Sequence, residues 1–352
     1  MLGAIIGDIV GSRFEWNNNR NKQFDFLTYK CSVTDDSIMS LAIAKALLES
    51  TSDYSDLSEN AVKFMQGIGR HYPDCGYGGR FRDWIHSDNP KPYGSYGNGS
   101  AMRVSACGFV ANSLEEAKQL SKAVTEVTHN HHEGLKGAEA TAVAIFLARS
   151  GKNLLEIRDY ITKNYYPLNF TLDGIRDSYE FNESCQDTVP QALEAFFESK
   201  NFEDAIRNAI SVGGDSDTLA AITGGIAEAY YGIPTEIRKH AITFLDERLL
   251  EILVAFENKY PSPFFFEKAM FSAQLRPLSA TCIVLPVILF CLFKWFITSL
   301  KTGFSDSLPG YIFIPTGIWL RSSNNPSPTI GSFLFSLLGP FLLKSSSLSI
   351  SK

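Results

Sequence analysis

Two short runs place carboxylates and a threonine hydroxyl directly ahead of helix-forming sequence. The first is Thr34-Asp35-Asp36, which leads into Ser37-Ile-Met-Ser-Leu-Ala-Ile-Ala-Lys-Ala-Leu-Leu48. The second is Gly213-Gly-Asp215-Ser-Asp217-Thr218, followed at helical spacing by Leu219, Ile222, Ile226 and Tyr230 and stopped by Gly232 and Pro234. One acid at such a place is an ordinary N-cap, and another in the first turn favours the helix dipole. A cap needs one such residue, not three. Asp215 and Asp217 are two apart, so they can converge only on a turn or a first helical turn. Oxygen ligands this crowded repel one another unless a cation holds them, and two matching sets predict a shared metal centre.

Other segments could hold a ligand. Gly76-Tyr-Gly78-Gly-Arg-Phe-Arg-Asp-Trp84 and Tyr93-Gly-Ser-Tyr-Gly-Asn98-Gly99-Ser100-Ala-Met-Arg103 are both glycine-rich, and successive backbone N–H groups in such loops can form an anion-binding concavity. Interleaved Tyr, Phe and Arg suit a phosphate-bearing ligand with rings. A single such loop would be an ordinary turn region. His129-Asn-His131-His132-Glu133 is not a His-Glu-x-x-His zinc motif and has no cysteine at ligand spacing, so one of its histidines is expected to line a pocket. There is neither a P-loop Gly-Lys-Ser/Thr nor a dinucleotide fingerprint after a strand.

These residues must be positioned by helices. Gly3, Gly7 and Gly11 fall four apart in an apolar opening, which predicts a helix packed very closely on its neighbours. Ser113 with Glu116, Asn153 with Glu156 and Asn201 with Asp204 are helix-start signatures. No alternating β-branched run appears before residue 260, and the last periodic segment ends at Pro261. We therefore expect one all-helical domain over residues 1–262 and an apolar, Ser-rich tail over 263–352. Within the tail, residues 280–300 are long enough as a helix, about 30 Å, to span a bilayer core, although Pro286 and Lys294 interrupt them. The tail reads either as a membrane anchor or as a segment foreign to the domain, such as a shifted reading frame.

Charge divides the 352-residue chain in the same place. From Phe271 onward six basic residues face the single acid Asp306, so the tail is +5 and residues 1–270 carry −11 of a net −6. Such an acidic body is a poor nonspecific nucleic-acid binder and would hold an anionic substrate only through a metal or oriented amides. The six scattered cysteines form no Cys-x-x-Cys pair, and the N-terminus lacks a basic n-region, so free thiols and a cytoplasmic location are expected.

Taken in order, Gly7-Asp8, Gly11-Ser-Arg-Phe-Glu15, Thr34-Asp35-Asp36, Gly76–Trp84, Asn98–Arg103, Thr128-His-Asn-His131, Cys185-Gln-Asp-Thr-Val-Pro190 and Gly213–Thr218 resemble the ADP-ribosylglycohydrolase family over about residues 1–260. That family includes dinitrogenase reductase-activating glycohydrolases and ADP-ribosylhydrolases acting on arginine or serine. The resemblance implies an all-α, orthogonally packed fold with two Mg²⁺ ions (Mn²⁺ being an alternative) on Thr34, Asp35, Asp36, Asp215, Asp217 and Thr218. It implies that Glu15 sits on a mobile loop at the metals, and that Asn98, Gly99 and Ser100 cradle a diphosphate, with His129 and Gly78 also on the ligand. Asp35, Asp36 or Glu15 would handle the proton. His132 departs from the proline common in related sequences. The implied activity is hydrolysis of the glycosidic bond between ADP-ribose and a protein or small acceptor, with no nucleic-acid partner and a membrane only through the tail. Two other readings use the same residues: a non-catalytic, crystallin-like ADP-ribose-binding protein, and a metal phosphohydrolase acting on a nucleotide diphosphate.

Overall fold

In the computed structural model the described residues are 1–262, with the strands 311–314 and 318–321. The helices run α1 (Leu2–Gly11), α2 (Asp35–Glu49), α3 (Leu57–Gly69), α4 (Gly79–His86), α5 (Gly99–Met102), α6 (Ser105–Val110), α7 (Leu114–Thr125) and α8 (His132–Arg149). They continue as α9 (Leu154–Asn164), α10 (Leu172–Ile175), α11 (Cys185–Phe197), α12 (Phe202–Ser211), α13 (Ser216–Tyr231), α14 (Thr235–Ala241) and α15 (Glu247–Lys259). Residues 1–262 hold no strand, only an isolated bridge between Gly97 and Ser184. The architecture is all-α, as expected.

The glycine spacing on α1 has a defined partner. A Cβ on Gly3 would lie 2.2 Å from the Gly224 carbonyl oxygen, one on Gly7 1.9 Å from that of Ala220, and one on Gly11 2.5 Å from the Asp217 Cα. All three partners belong to α13. Backbone therefore packs on backbone, which only residues without side chains permit. Both helices are enclosed: every residue of α1 is buried, and α13 is buried from Ser216 to Ala229. α2 is buried too, apart from Asp35, Lys45 and the residues at its C-terminal end. Each fully buried Leu or Ile here contributes about 1.5–3 kcal/mol.

The caps form with one variation. Asn153 and Glu156 make a complete capping box, and Asn201 caps Asp204. Ser113 accepts from the Glu116 N–H, but the Glu116 carboxylate turns to the Asn112 N–H, one residue earlier than a reciprocal box requires.

Two compact units are distinguished, Met1–Leu275 and Arg276–Lys352. In the second, Tyr311–Ile314 pairs antiparallel with Ile318–Arg321, Tyr311 opposite Arg321 and Ile314 opposite Ile318. The candidate span 280–300 lies outside the described residues. Among the described residues no helix is long and apolar enough to cross a membrane. Cys31, Cys75, Cys107 and Cys185 are unbridged.

Candidate metal centre and ligand cleft

The contact of α1 with α13 brings Asp8 against the start of α2. Asp8 is fully buried and accepts hydrogen bonds from the Thr34 hydroxyl at 2.6 Å, the Thr34 N–H at 3.0 Å, the Ser37 N–H at 3.2 Å and the Ser37 hydroxyl. A side chain from another helix thus caps α2 alongside the local cap Thr34. With those N–H groups served by Asp8, the carboxylates of Asp35 and Asp36 are left free to face outward from the helix end.

The second set is aimed by a turn. Gly213 and Gly214 have φ of +79° and +72°, a left-handed pair suited to glycine, and a Cβ on Gly214 would meet the Tyr179 ring at 2.4 Å. Asp215 occupies the N-cap position of α13 but makes no capping hydrogen bond. Its carboxylate instead accepts from the Asn98 amide at 2.7 Å. Thr218 donates to Asp36 at 3.1 Å, joining the two clusters directly.

Carboxylate oxygens of Asp8, Asp36 and Asp217 lie within 4.8 Å of one another, and so do those of Glu15, Asp215 and Asp217. Asp217 belongs to both groups. Burial, followed by neighbouring carboxylates, pushes Asp36 and Asp217 well above the usual carboxylate range. Burial with Asp8 and Asp215 pushes Asp35 up to about 8, and burial with the same two aspartates pushes Glu15 up to about 7. Burial also raises Asp8, to about 6, against the pull of its Ser37 and Thr34 hydrogen bonds. Asp36 Oδ1 is buried without a hydrogen-bond partner. An orphaned carboxylate oxygen among mutually repelling carboxylates fits a divalent cation.

Glu15, Asp35, Asp36, Asp215, Asp217 and Thr218 all line a cleft of about 290 Å³. The same cleft is lined by Gly78, Gly97, Asn98 and Gly99, with Arg80, Arg103 and His129. Arg103 is buried and donates to the Thr128 hydroxyl at 2.6 Å, and that hydroxyl is 2.7 Å from His129 Nδ1. The Thr128 hydroxyl also lies 3.4 Å from the Thr125 carbonyl oxygen, so the bond to His129 fits either ring tautomer. Burial, then Arg103 and Arg80, holds His129 well below the ordinary histidine range, hence neutral. Cβ atoms on Gly97 and Gly99 would each lie 3.5 Å from its Nε2, so this ring nitrogen faces the glycine loop.

The sequence-expected residues are largely brought together, with two refinements. Both Asn98 side-chain contacts, to Asp215 and to Thr188 at 3.1 Å, are made by its amide nitrogen, so the amide supports the acidic cluster. Ser100 is fully buried, and its hydroxyl bonds the Gly97 and Gly134 carbonyls at 3.0 and 2.9 Å behind the cleft wall, away from the cradle expected of it. The Glu15 loop is anchored at its base: the Asn18 amide donates to the Phe14, Glu15 and Gly214 carbonyls and accepts from the Gly214 N–H. His131 caps α8 instead of facing the cleft. Sequence reasoning quoted Asp8 and Arg103 within their motifs without giving either a role of its own, and passed over Trp16, Phe181 and Glu183. A charged residue inside an apolar run was the available signal for Asp8 and Arg103; the other three carry none.

The ADP-ribosylglycohydrolase family model matches residues 1–259. The chain is 24% identical over 313 residues to human ADP-ribosylhydrolase ARH3, covering 66% of this chain and 84% of that protein. It is 26% identical over 259 residues to ADP-ribosylarginine hydrolase Tri1 of Pseudomonas putida, covering 66% and 70%. It is 25% identical over 255 residues to the ADP-ribosyl-[dinitrogen reductase] glycohydrolase of Rhodospirillum rubrum, covering 66% and 84%. A solved structure described as an ADP-ribosylglycohydrolase-related protein complex shares the fold, with a TM-score of 0.51 at 22% identity, covering 73% of this chain and 95% of that one. An acidic cluster set across α2 and α13, a glycine-lined cleft beside it and a family match over the whole helical body lead to one conclusion: the chain belongs to the ADP-ribosylglycohydrolase family.

Proposed function

We propose that residues 1–262 form a Mg²⁺-dependent hydrolase that releases ADP-ribose from a modified side chain. The observation that carries this reading is a single cleft lined both by crowded carboxylates and by glycine-loop residues with Arg80, Arg103 and His129. An ADP-ribosyl group bound there would set its diphosphate against the glycine loops and cationic residues and its C1″ linkage against the carboxylates. The names of the relatives, which act on ADP-ribosylarginine or ADP-ribosylated dinitrogen reductase, agree.

Thr34, Asp35, Asp36, Asp215, Asp217 and Thr218 would hold the ions, with Glu15 at their edge. Bound divalent cations would supply charge to orient the ribose hydroxyls and acidify a water. Asp8 holds Thr34 at the start of α2, and Asn98 holds the Asp215 carboxylate, from behind. Glu15 and Asp35 keep partial exposure to the cleft, so they are the two carboxylates placed to exchange protons with water there. The hydroxyl of a water forms a bond to C1″, the bond from C1″ to the acceptor breaks, and the water's other proton ends on the departing nitrogen or oxygen. The oxocarbenium-like character of that step is favoured by the surrounding carboxylates.

Incubating the full chain with ADP-ribosylated peptides in Mg²⁺ and in EDTA tests the reading. Free ADP-ribose released only with Mg²⁺ is the expected result. Release of AMP or phosphate would replace it with a phosphohydrolase, and ADP-ribose binding without turnover on any acceptor would leave a binding protein.

A further inference from the structure

The chain between α1 and α2, residues 12–34, holds neither helix nor strand, and it carries Glu15 into the second group of carboxylates, with Asp215 and Asp217. Loops this long in a compact body are uncommon and usually functional. Such a loop leaves backbone groups that no helix or ladder satisfies, and so does the left-handed turn at Gly213 and Gly214.

Two side chains of the loop join it to that turn. The Asn18 amide nitrogen donates to the Phe14, Glu15 and Gly214 carbonyls at 2.8, 3.0 and 2.8 Å, and its oxygen accepts from the Gly214 N–H at 2.8 Å. One amide thus sits between the backbone of Glu15 and that of the residue before Asp215. Arg20 donates to the Val212 carbonyl at 3.0 Å, to the Tyr179 carbonyl at 2.7 Å and to the Arg176 carbonyl. It ties the loop to the other side of the turn and to the segment that leads to Phe181, whose ring stacks on Trp16 with centroids 5.1 Å apart. A Cβ on Gly213 would lie 3.1 Å from Asn18 Oδ1 and 3.2 Å from Arg20 Cζ, so both side chains lie directly on the turn. Farther along, Lys22 pairs with Asp204, and Arg207 donates to the Lys22 and Phe24 carbonyls at 2.9 and 2.8 Å. Those contacts fix the loop on α12, whereas Asn18 and Arg20 fix it on the turn that aims Asp215.

We propose that Asn18 and Arg20 are positioning residues that close the second carboxylate group, clasping the Glu15 loop to the Asp215 turn so that Glu15, Asp215 and Asp217 meet a bound cation as one unit. The proposal rests on the metal-centre reading above. Glu15 stands among carboxylates that repel it, and its loop is exposed from Trp16 to Asn18. Without a tie, repulsion would carry it outward. The clasp opposes that before any cation arrives, and ligands already gathered lose less freedom on binding.

Mg²⁺ titration of the full chain by calorimetry, without substrate, tests this. Asn18→Ala should weaken Mg²⁺ binding by about ten-fold and Arg20→Met by about three-fold or more. Glu15→Gln should weaken it by about ten-fold, and adding Asn18→Ala to that variant should weaken it by no more than about two-fold further, because the tie has lost its carboxylate. Lys22→Ala, which loosens the loop only on α12, should stay within about two-fold of the parent. Melting of the Asn18 and Arg20 variants in EDTA should move by no more than roughly 4 °C. Lowered melting with unchanged Mg²⁺ affinity in both variants overturns the proposal and makes the clasp an ordinary loop anchor. Additive losses in the double variant overturn it too, since Asn18 would then not act through Glu15. A parent chain that binds neither Mg²⁺ nor Mn²⁺ overturns the metal centre itself, and the clasp's role with it. The expected affinities without release of ADP-ribose support the clasp and remove only the hydrolase reading.

Discussion

Asp36 and Asp217 have little to do in this fold except face other carboxylates. Both are buried, Asp36 Oδ1 has no partner, and Asp217 is common to both triads. Asp36→Ala or Asp217→Ala should therefore lower ADP-ribose release by on the order of a hundred-fold or more while far-ultraviolet circular dichroism keeps its helical form. Activity retained in both variants would remove the two-cluster site. Asp8 acts differently, since four hydrogen bonds already engage both of its oxygens. An asparagine there keeps the shape but offers only one accepting atom. Asp8→Asn should weaken Mg²⁺ binding by about ten-fold, read by calorimetry; unchanged affinity would mean that Asp8 does not position the ligands.

At the scale of elements, the site depends on how closely α1 lies on α13. Gly7 has the least room, with a Cβ only 1.9 Å from the Ala220 carbonyl oxygen, and the obstacle is backbone. Gly7→Ala should force the helices apart at a cost of about 3 kcal/mol. Thermal melting should fall by roughly 5–10 °C. Because Asp8 and Asp217 ride on these helices, Mg²⁺ should stabilise this variant less than the parent. Gly67→Ala, on an open helical face of α3 with nothing within 4 Å, serves as the control and should not destabilise. Equal melting temperatures for Gly7→Ala and the parent would contradict the backbone contact.

At the scale of the whole molecule, the acidic cluster makes metal-free stability depend on pH. Burial raises Asp8 to about 6, and burial with neighbouring carboxylates raises Glu15 to about 7 and Asp35 to about 8. A carboxyl raised in the folded state binds its proton more tightly there than in the unfolded chain. The stabilisation is complete below about pH 4, where unfolded carboxylates protonate, and is lost as pH rises through the folded values. Melting in EDTA should therefore drop between pH 5 and pH 8, and Mg²⁺ should abolish the drop. A melting temperature that rises over that interval in EDTA would contradict the burial of these groups. All cleft residues fall within 1–262. Those residues alone should melt cooperatively and release ADP-ribose at a rate within about two-fold of the full chain.

Much of this was legible from the sequence because it is local. Thr34-Asp35-Asp36 and Gly213–Thr218 announce themselves as helix starts with more acid than a cap needs, and the four-residue glycine spacing of α1 announces a close helix contact. Helical periodicity alone carried the all-α architecture. The chain does not say who meets whom, since nothing within α1 names α13 as its partner. Tertiary packing decided that Asp8 caps α2 from another helix, that Ser100 turns behind the cleft wall, and that Asn98 supports Asp215. It also decided that Trp16 and Phe181, 165 positions apart, stack at one mouth. The physical reason is range. Caps, turns and periodicity are set by interactions over a few residues, whereas buried carboxylates and paired rings take their character from neighbours that only the folded chain supplies.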